Sequence, residues 1–187
     1  MSFLMVPRLI GRRATPFEAT GGSVTPVGAN IVHVFLSGIQ NFVVNRDGVV
    51  DVLVVAGGGG CGSRTSGGGG AGGFIVRSNV AVTAGTHAIT VGAGSPSNAQ
   101  GNNSNVPFGG VPTALGGGRS TASGGSGGGG QNGPTSPGSG TAGQGNNGGS
   151  GAIFSKRGGN EGGVGGGGGG AAAVGSNGGT FSPGTGG

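Results

Sequence analysis

The groups in this 187-residue chain able to act as acid, base, nucleophile or metal ligand are four carboxylates, two histidines and one cysteine. Their spacing argues against using them together. Glu18, Asp47, Asp51 and Glu161 are scattered and offer no pair suited to acid–base hydrolysis. His33 and His87 each fall inside a strand pattern, where packing or solvent-facing roles are expected rather than ligation. The lone Cys61 excludes an internal disulfide and a cysteine-based zinc site. Ser37, His33 and Asp51 can be drawn as a triad, but no G-x-S-x-G elbow accompanies them. The run Gly57-Gly-Gly-Gly-Cys-Gly62 follows an apolar stretch and formally satisfies G-x-G-x-x-G. No helix-forming segment follows it, the acid expected about 20 positions on is missing, and no Gly-Lys-Ser/Thr occurs anywhere. We therefore expect no enzyme, no cofactor and no metal.

What remains is recognition by surface loops. Asn102, Asn103, Asn105 and Phe108, then Gln131 and Asn132, then Phe154, Lys156 and Arg157, are the polar, aromatic and basic residues of the stretches 95–108, 131–137 and 153–161. Amides and exposed aromatics suit sugars, and loops at the end of a rigid body are where binding residues sit. The competing expectation is that Phe108, Phe154 and Phe181 plug the ends of the fold. No acid lies between Asp51 and Glu161, whereas Arg64, Arg77, Arg119, Lys156 and Arg157 do, so one face is expected to favour polyanions. Arg8, Arg12 and Arg13 cluster near the N-terminus beside Pro7 and Pro16, which oppose a continuous helix. Residues 1–20 are read as an extended basic arm. The apolar run in 1–10 is too short to span a membrane, and its arginines follow the apolar residues, the reverse of a secretion signal. A soluble protein assembled without export is expected.

These loops need a scaffold, and composition limits what it can be. Glycine supplies 56 residues, tryptophan and tyrosine none, so a conventional large side-chain core is not expected. Residues 21–56 are expected to form a small antiparallel β domain. Ile31-Val-His-Val-Phe-Leu36, Phe42-Val-Val44 and Val49-Val-Asp-Val-Leu-Val-Val55 are rich in β-branched and aromatic residues, and Asn45-Arg-Asp-Gly48 carries a hairpin-type Asp-Gly pair. A meander is predicted, with both faces of 49–55 covered by another sheet or a neighbouring subunit.

Residues 57–187 hold most of the glycine, with strand-like interruptions at Phe74-Ile-Val76 and His87-Ala-Ile-Thr-Val91. Collagen is excluded because runs such as 165–170 break any Gly-X-Y order. Every third residue from Gly118 to Gly151 is glycine, alanine, serine or threonine, while Arg119, Gln131, Pro134, Gln144, Asn146 and Asn147 fall in the other registers. A period of three is that of polyproline II; with only hydrogen on one side, such helices can pack and pair backbone to backbone. The fold class expected is mainly β plus polyglycine II, with little or no α-helix and a turn at 131–139. The alternative is a disordered tether, since fixing each residue costs about 1–2 kcal/mol and glycine loses most.

The ordered pieces Ala19-Thr-Gly-Gly22, His33-Val-Phe35, Phe42-Val-Val44, Val52-Leu-Val-Val-Ala-Gly57, Gly67-Gly-Gly-Gly-Ala-Gly-Gly-Phe74 and Ile89-Thr-Val-Gly-Ala-Gly94 resemble the glycine-rich domain of phage tail-fibre, tail-tip and related virion proteins. The resemblance covers about residues 19–187. It implies a virion component exposed on the particle with fold-back loops facing a host cell-surface glycan; the basic residues of 1–20 are then expected to anchor it to other virion proteins. It also implies a homo-oligomer, with a trimer favoured; neither nucleic acid nor membrane insertion is expected. A capsid decoration or head-fibre protein is the alternative, and an antifreeze-type array a third. One departure is that the chain ends Phe181-Ser-Pro-Gly-Thr-Gly-Gly187, where such domains often close with an apolar strand.

Overall fold

A computed structural model describes residues 17–62, 66–155 and 161–179. Strands are the regular secondary structure among them: β1 (Ala19–Thr20), β2 (Ser23–Val27), β3 (Asn30–Val34), β4 (Gly38–Val44), β5 (Gly48–Val55), β6 (Phe74–Val82), β7 (Gly85–Val91), β8 (Ala152–Ser155) and β9 (Glu161–Val164). All are antiparallel, in one three-stranded sheet β1-β4-β7 and in the pairs β2-β3, β5-β6 and β8-β9. The fold is mainly β, without helix among the described residues.

The expected meander does not form. β4 pairs with β7 and β5 with β6, so strands beyond residue 57 complete both sheets. The apolar alternation explains this. Phe42 and Val44 on β4 and Val54 on β5 are buried in one cluster with Ile75, Val80, Val82 and Ile89, so β4 and β5 stack face to face. The Asn45–Gly48 segment is therefore a corner between sheets. Asp47 serves the corner by accepting the Ala84 N–H at 2.7 Å. Asp51 sits at a bulge between Val50 and Val52, where it accepts the Asn79 N–H at 2.9 Å and holds Asn79 at φ 56°. Within one chain only one face of 49–55 is covered, which leaves the neighbouring-subunit branch of that expectation untouched. Val50, Val52 and Val54 face the core, while Val49, Leu53 and Val55 are exposed.

Beyond the sheets, glycine segments pair through their backbones in a repeating order. In 124–130, Ser126 and Gly129 donate to Ala71 and Gly68, Gly127 and Gly130 donate to Asn146 and Gly149, and Gly125 donates to Gly116. In 66–73, Gly68 and Ala71 donate to Gly166 and Gly169, while Gly70 and Gly73 donate to Gly118 and Leu115. N–H groups three apart thus reach the same neighbour and intervening ones reach others, whereas a strand alternates with period two. These bonds run 2.7–3.0 Å, the ordinary range for amide pairs.

Glycine serves two separate purposes here. At Gly28, in the β2-β3 turn, φ is +61° with open space around the α-carbon, so conformation requires it. At Gly127, φ is not left-handed, but a Cβ would collide with the Gly138 carbonyl, so space requires it. The single register read from sequence is too narrow for 124–130. Its glycines are crowded by neighbouring backbone at every position, because segments surround it on all sides.

Ser126 is the exception in that segment: its side chain is fully buried and its Oγ has no hydrogen-bond partner. A buried unmade hydroxyl costs about 1–3 kcal/mol. Ser126→Ala is expected to stabilise the fold by about 1 kcal/mol, read as a higher denaturant midpoint at unchanged slope.

Candidate recognition surface

The segments join the β sheets at one end and turn at the other. Near the sheets, Ala56 pairs with Gly73, Gly73 with Leu115, and Phe74 with Gln144. Far from them, Asn98 donates to Cys61, Thr121 to Gly129, Gly130 to Gly149, and Gly133 to Ala152. The turns at 95–98, 119–123 and 131–134 and the β8-β9 hairpin therefore share the distal end.

This division splits the residues singled out from sequence. Gln131 and Asn132 are exposed in a distal turn, and Phe154 lies half-buried on β8 beside it. Lys156 and Arg157 lie outside the described residues, as do Arg8, Arg12, Arg13 and Phe181. Asn102, Asn103 and Asn105 instead belong to the stem. The Asn102 carbonyl accepts from Gly57, Asn103 Oδ1 accepts from Gly116 N–H at 2.8 Å, and Asn105 Oδ1 accepts from the Thr113 hydroxyl at 3.2 Å. Phe108 turns inward, stacked 6.1 Å from Phe42 and edge-on at 5.0 Å to His87. Phe108 thus packs against the side-chain core.

Sequence reasoning overlooked Asn98 and Arg119 as a pair. Both are exposed at the distal end, and Arg119 Nη1 donates to Asn98 Oδ1 at 3.4 Å. Thr121 beside them is held at φ 65°, a left-handed value uncommon for a β-branched residue. The isolated Arg119 within a glycine run was the available signal. Of the cations expected to form one basic face, Arg77 lies on β6 in the sheets and Arg119 at the far end, while Arg64, Lys156 and Arg157 lie outside the described residues. On the flank, Gln100, Asn103, Leu115, Ser123 and Thr141 line an open groove of about 260 Å³ that bears no charge.

The two histidines considered for chemistry have structural partners. His33 Nδ1 donates to the Gly21 carbonyl at 2.8 Å while its ring meets Phe42 edge-on; His87 Nε2 donates to the Thr83 carbonyl at 2.9 Å. In the Gly57–Gly62 run, the amides of Gly57, Gly59 and Gly60 already donate to Asn102, Gly70 and Ala99, so they are not turned toward a phosphate. Among the described residues, no three His, Cys, Asp or Glu side chains come together.

A small β core extended by backbone-paired glycine segments, with turns gathered at one end, defines a glycine-packed β protein. The chain belongs to the glycine-rich domain family, whose model matches residues 36–187. No curated protein and no solved structure matches it.

Proposed function

We propose that this is a non-enzymatic structural protein of a phage particle, part of its tail-fibre, tail-tip or baseplate apparatus, which contacts the host surface through the distal end. The observation that carries this reading is the collection of distal turns, bearing Asn98, Arg119, Gln131 and Asn132, at the end opposite the sheets. We further propose that the glycine segments form a polyglycine-II-type bundle. The period-three donation supports it, since polyproline-II geometry turns one third of a revolution per residue. A core of backbone keeps a stem narrow and stiff, and leaves recognition to the turns.

In this reading Arg8, Arg12 and Arg13 dock on an acidic virion surface, and the chain acts as a homo-oligomer. The test uses labelled protein on host cells. Arg119→Ala combined with Gln131→Ala and Asn132→Ala is expected to reduce cell binding at least about tenfold, roughly 1.4 kcal/mol, at an unchanged thermal midpoint. Unchanged binding sinks the host-contact reading. Gold-labelled antibody on intact particles decides location: label on tails supports the proposal, whereas label on heads makes the chain a capsid decoration protein.

A further inference from the structure

The two sheets differ on their outer sides. On β1-β4-β7, Asn41, Thr86 and Ala88 are exposed beside Ile39 and Val43. On β5-β6 the register sets Val55 beside Phe74 and Leu53 beside Val76, with Val49 further along the same face. These five side chains are 41–62% exposed. Asp51 on this face is already engaged by the Asn79 amide, and exposed Arg77 beside Val76 donates back to the Val76 carbonyl at 2.8 Å. No other strand joins β5 or β6 among the described residues.

We infer that the outer face of β5-β6 packs against the same face of a second copy of this chain, forming a two-fold dimer. Area is the first argument. Five large side chains exposed to this degree present on the order of 400 Å² of apolar surface, the size at which a monomer's largest patch is usually functional. That is close to the apolar share of the roughly 800 Å² each partner buries in a standard interface. Chemistry is the second argument. A face of valine, leucine and phenylalanine on a pleated sheet matches another such face, as the inner side already does: Val54 and Ile75 pack there against Phe42 and Val44 of β4. The face offers no charge pattern that would select a charged protein or glycan, and a second copy supplies a matching apolar face. An isologous contact of this kind closes at two copies, unlike the trimer expected from fibres.

This inference rests on the reading of the chain as an assembling structural protein, but its test needs no particle or host. Sedimentation equilibrium of the full chain from low to high micromolar is expected to show a monomer–dimer equilibrium. Leu53→Lys and Val76→Lys, each at an exposed position, are expected to give monomers with unchanged circular dichroism. Ile39→Lys on the opposite sheet should leave the dimer intact. A monomer throughout, a three-copy assembly, or a dimer that survives Leu53→Lys and Val76→Lys would each overturn it. Host-cell binding by the distal variants can fail without altering these masses, so the two readings fail separately.

Discussion

Gly127→Ala is expected to destabilise the fold by about 3 kcal/mol or more, while Gly58→Ala is expected to be neutral or to stabilise it by up to about 1 kcal/mol. Adding one methyl group in each case gives opposite signs, and the difference lies in what surrounds the α-carbon. At Gly127 the new Cβ meets the Gly138 carbonyl and, at 2.9 Å, the carbonyl carbon of Ser139. Those atoms are backbone and cannot rotate away. Making room displaces 138–141, which loosens the bonds from Gly138 to Gly128 and from Thr141 to Gly125. At Gly58 the nearest atom to a Cβ is the Gly70 carbonyl oxygen at 3.8 Å, an ordinary contact. Its φ is not left-handed, so alanine restricts the unfolded chain without straining the folded one. Urea unfolding of the two variants beside the parent measures both effects. Equal small losses would mean that the glycine segments are not closely packed, and would remove the support for a polyglycine-II bundle.

Much of this arrangement was legible from residue types. The apolar β-branched runs marked β3, β4, β5, the start of β6 and most of β7, because alternating burial leaves a signal along the strand. Partner choice was not legible. The Asp-Gly pair at 47–48 suggested a hairpin, yet Phe42, Val44 and Val54 need the same interior, and stacking two sheets buries all three. β2 was hidden by Pro26, which is tolerated opposite Ile31 in a two-stranded hairpin with open edges. β9 was hidden because Gly162 and Gly163 carry no side chains to alternate.

The glycine zone shows the same division. Its period of three was visible in the placement of bulky residues, and the turn near 131–139 followed from length and proline. Which segments become neighbours was not visible, since glycine offers no side chain that prefers one partner over another. For the candidate site, Gln131 and Asn132 stand out because amides are conspicuous in a glycine background, and both are exposed in a turn. Asn102, Asn103 and Asn105 stood out for the same reason but lie in the stem, where Asn103 and Asn105 use their side chains to accept hydrogen bonds. An asparagine looks the same in sequence whether its amide faces solvent or accepts a backbone N–H. Only the neighbouring segment decides.

The second large effect concerns how the two parts depend on each other. Ile75→Ala is expected to cost about 3–4 kcal/mol, near the middle of the range for emptying a core isoleucine site. Ile75 is 1% exposed and sits opposite Val54 at the centre of the cluster. That cluster is small for a chain of this length, so one cavity removes a large part of it. Its chain neighbours Phe74, at the start of β6, and Gly73, just before it, are anchor points for the glycine segments, since Phe74 donates to Gln144 and Gly73 to Leu115. A net backbone hydrogen bond contributes about 0.5–1.5 kcal/mol, while ordering a residue costs about 1–2 kcal/mol. Segments held by such bonds alone lie near balance, and the side-chain core tips them toward order. Native-state hydrogen exchange on Ile75→Ala is therefore expected to show protection falling together in β5, β6 and the amides of 124–130. Protection lost in the sheets but retained at Gly127 and Gly129 would show that the glycine segments fold independently, and the side-chain core would then not be what orders them.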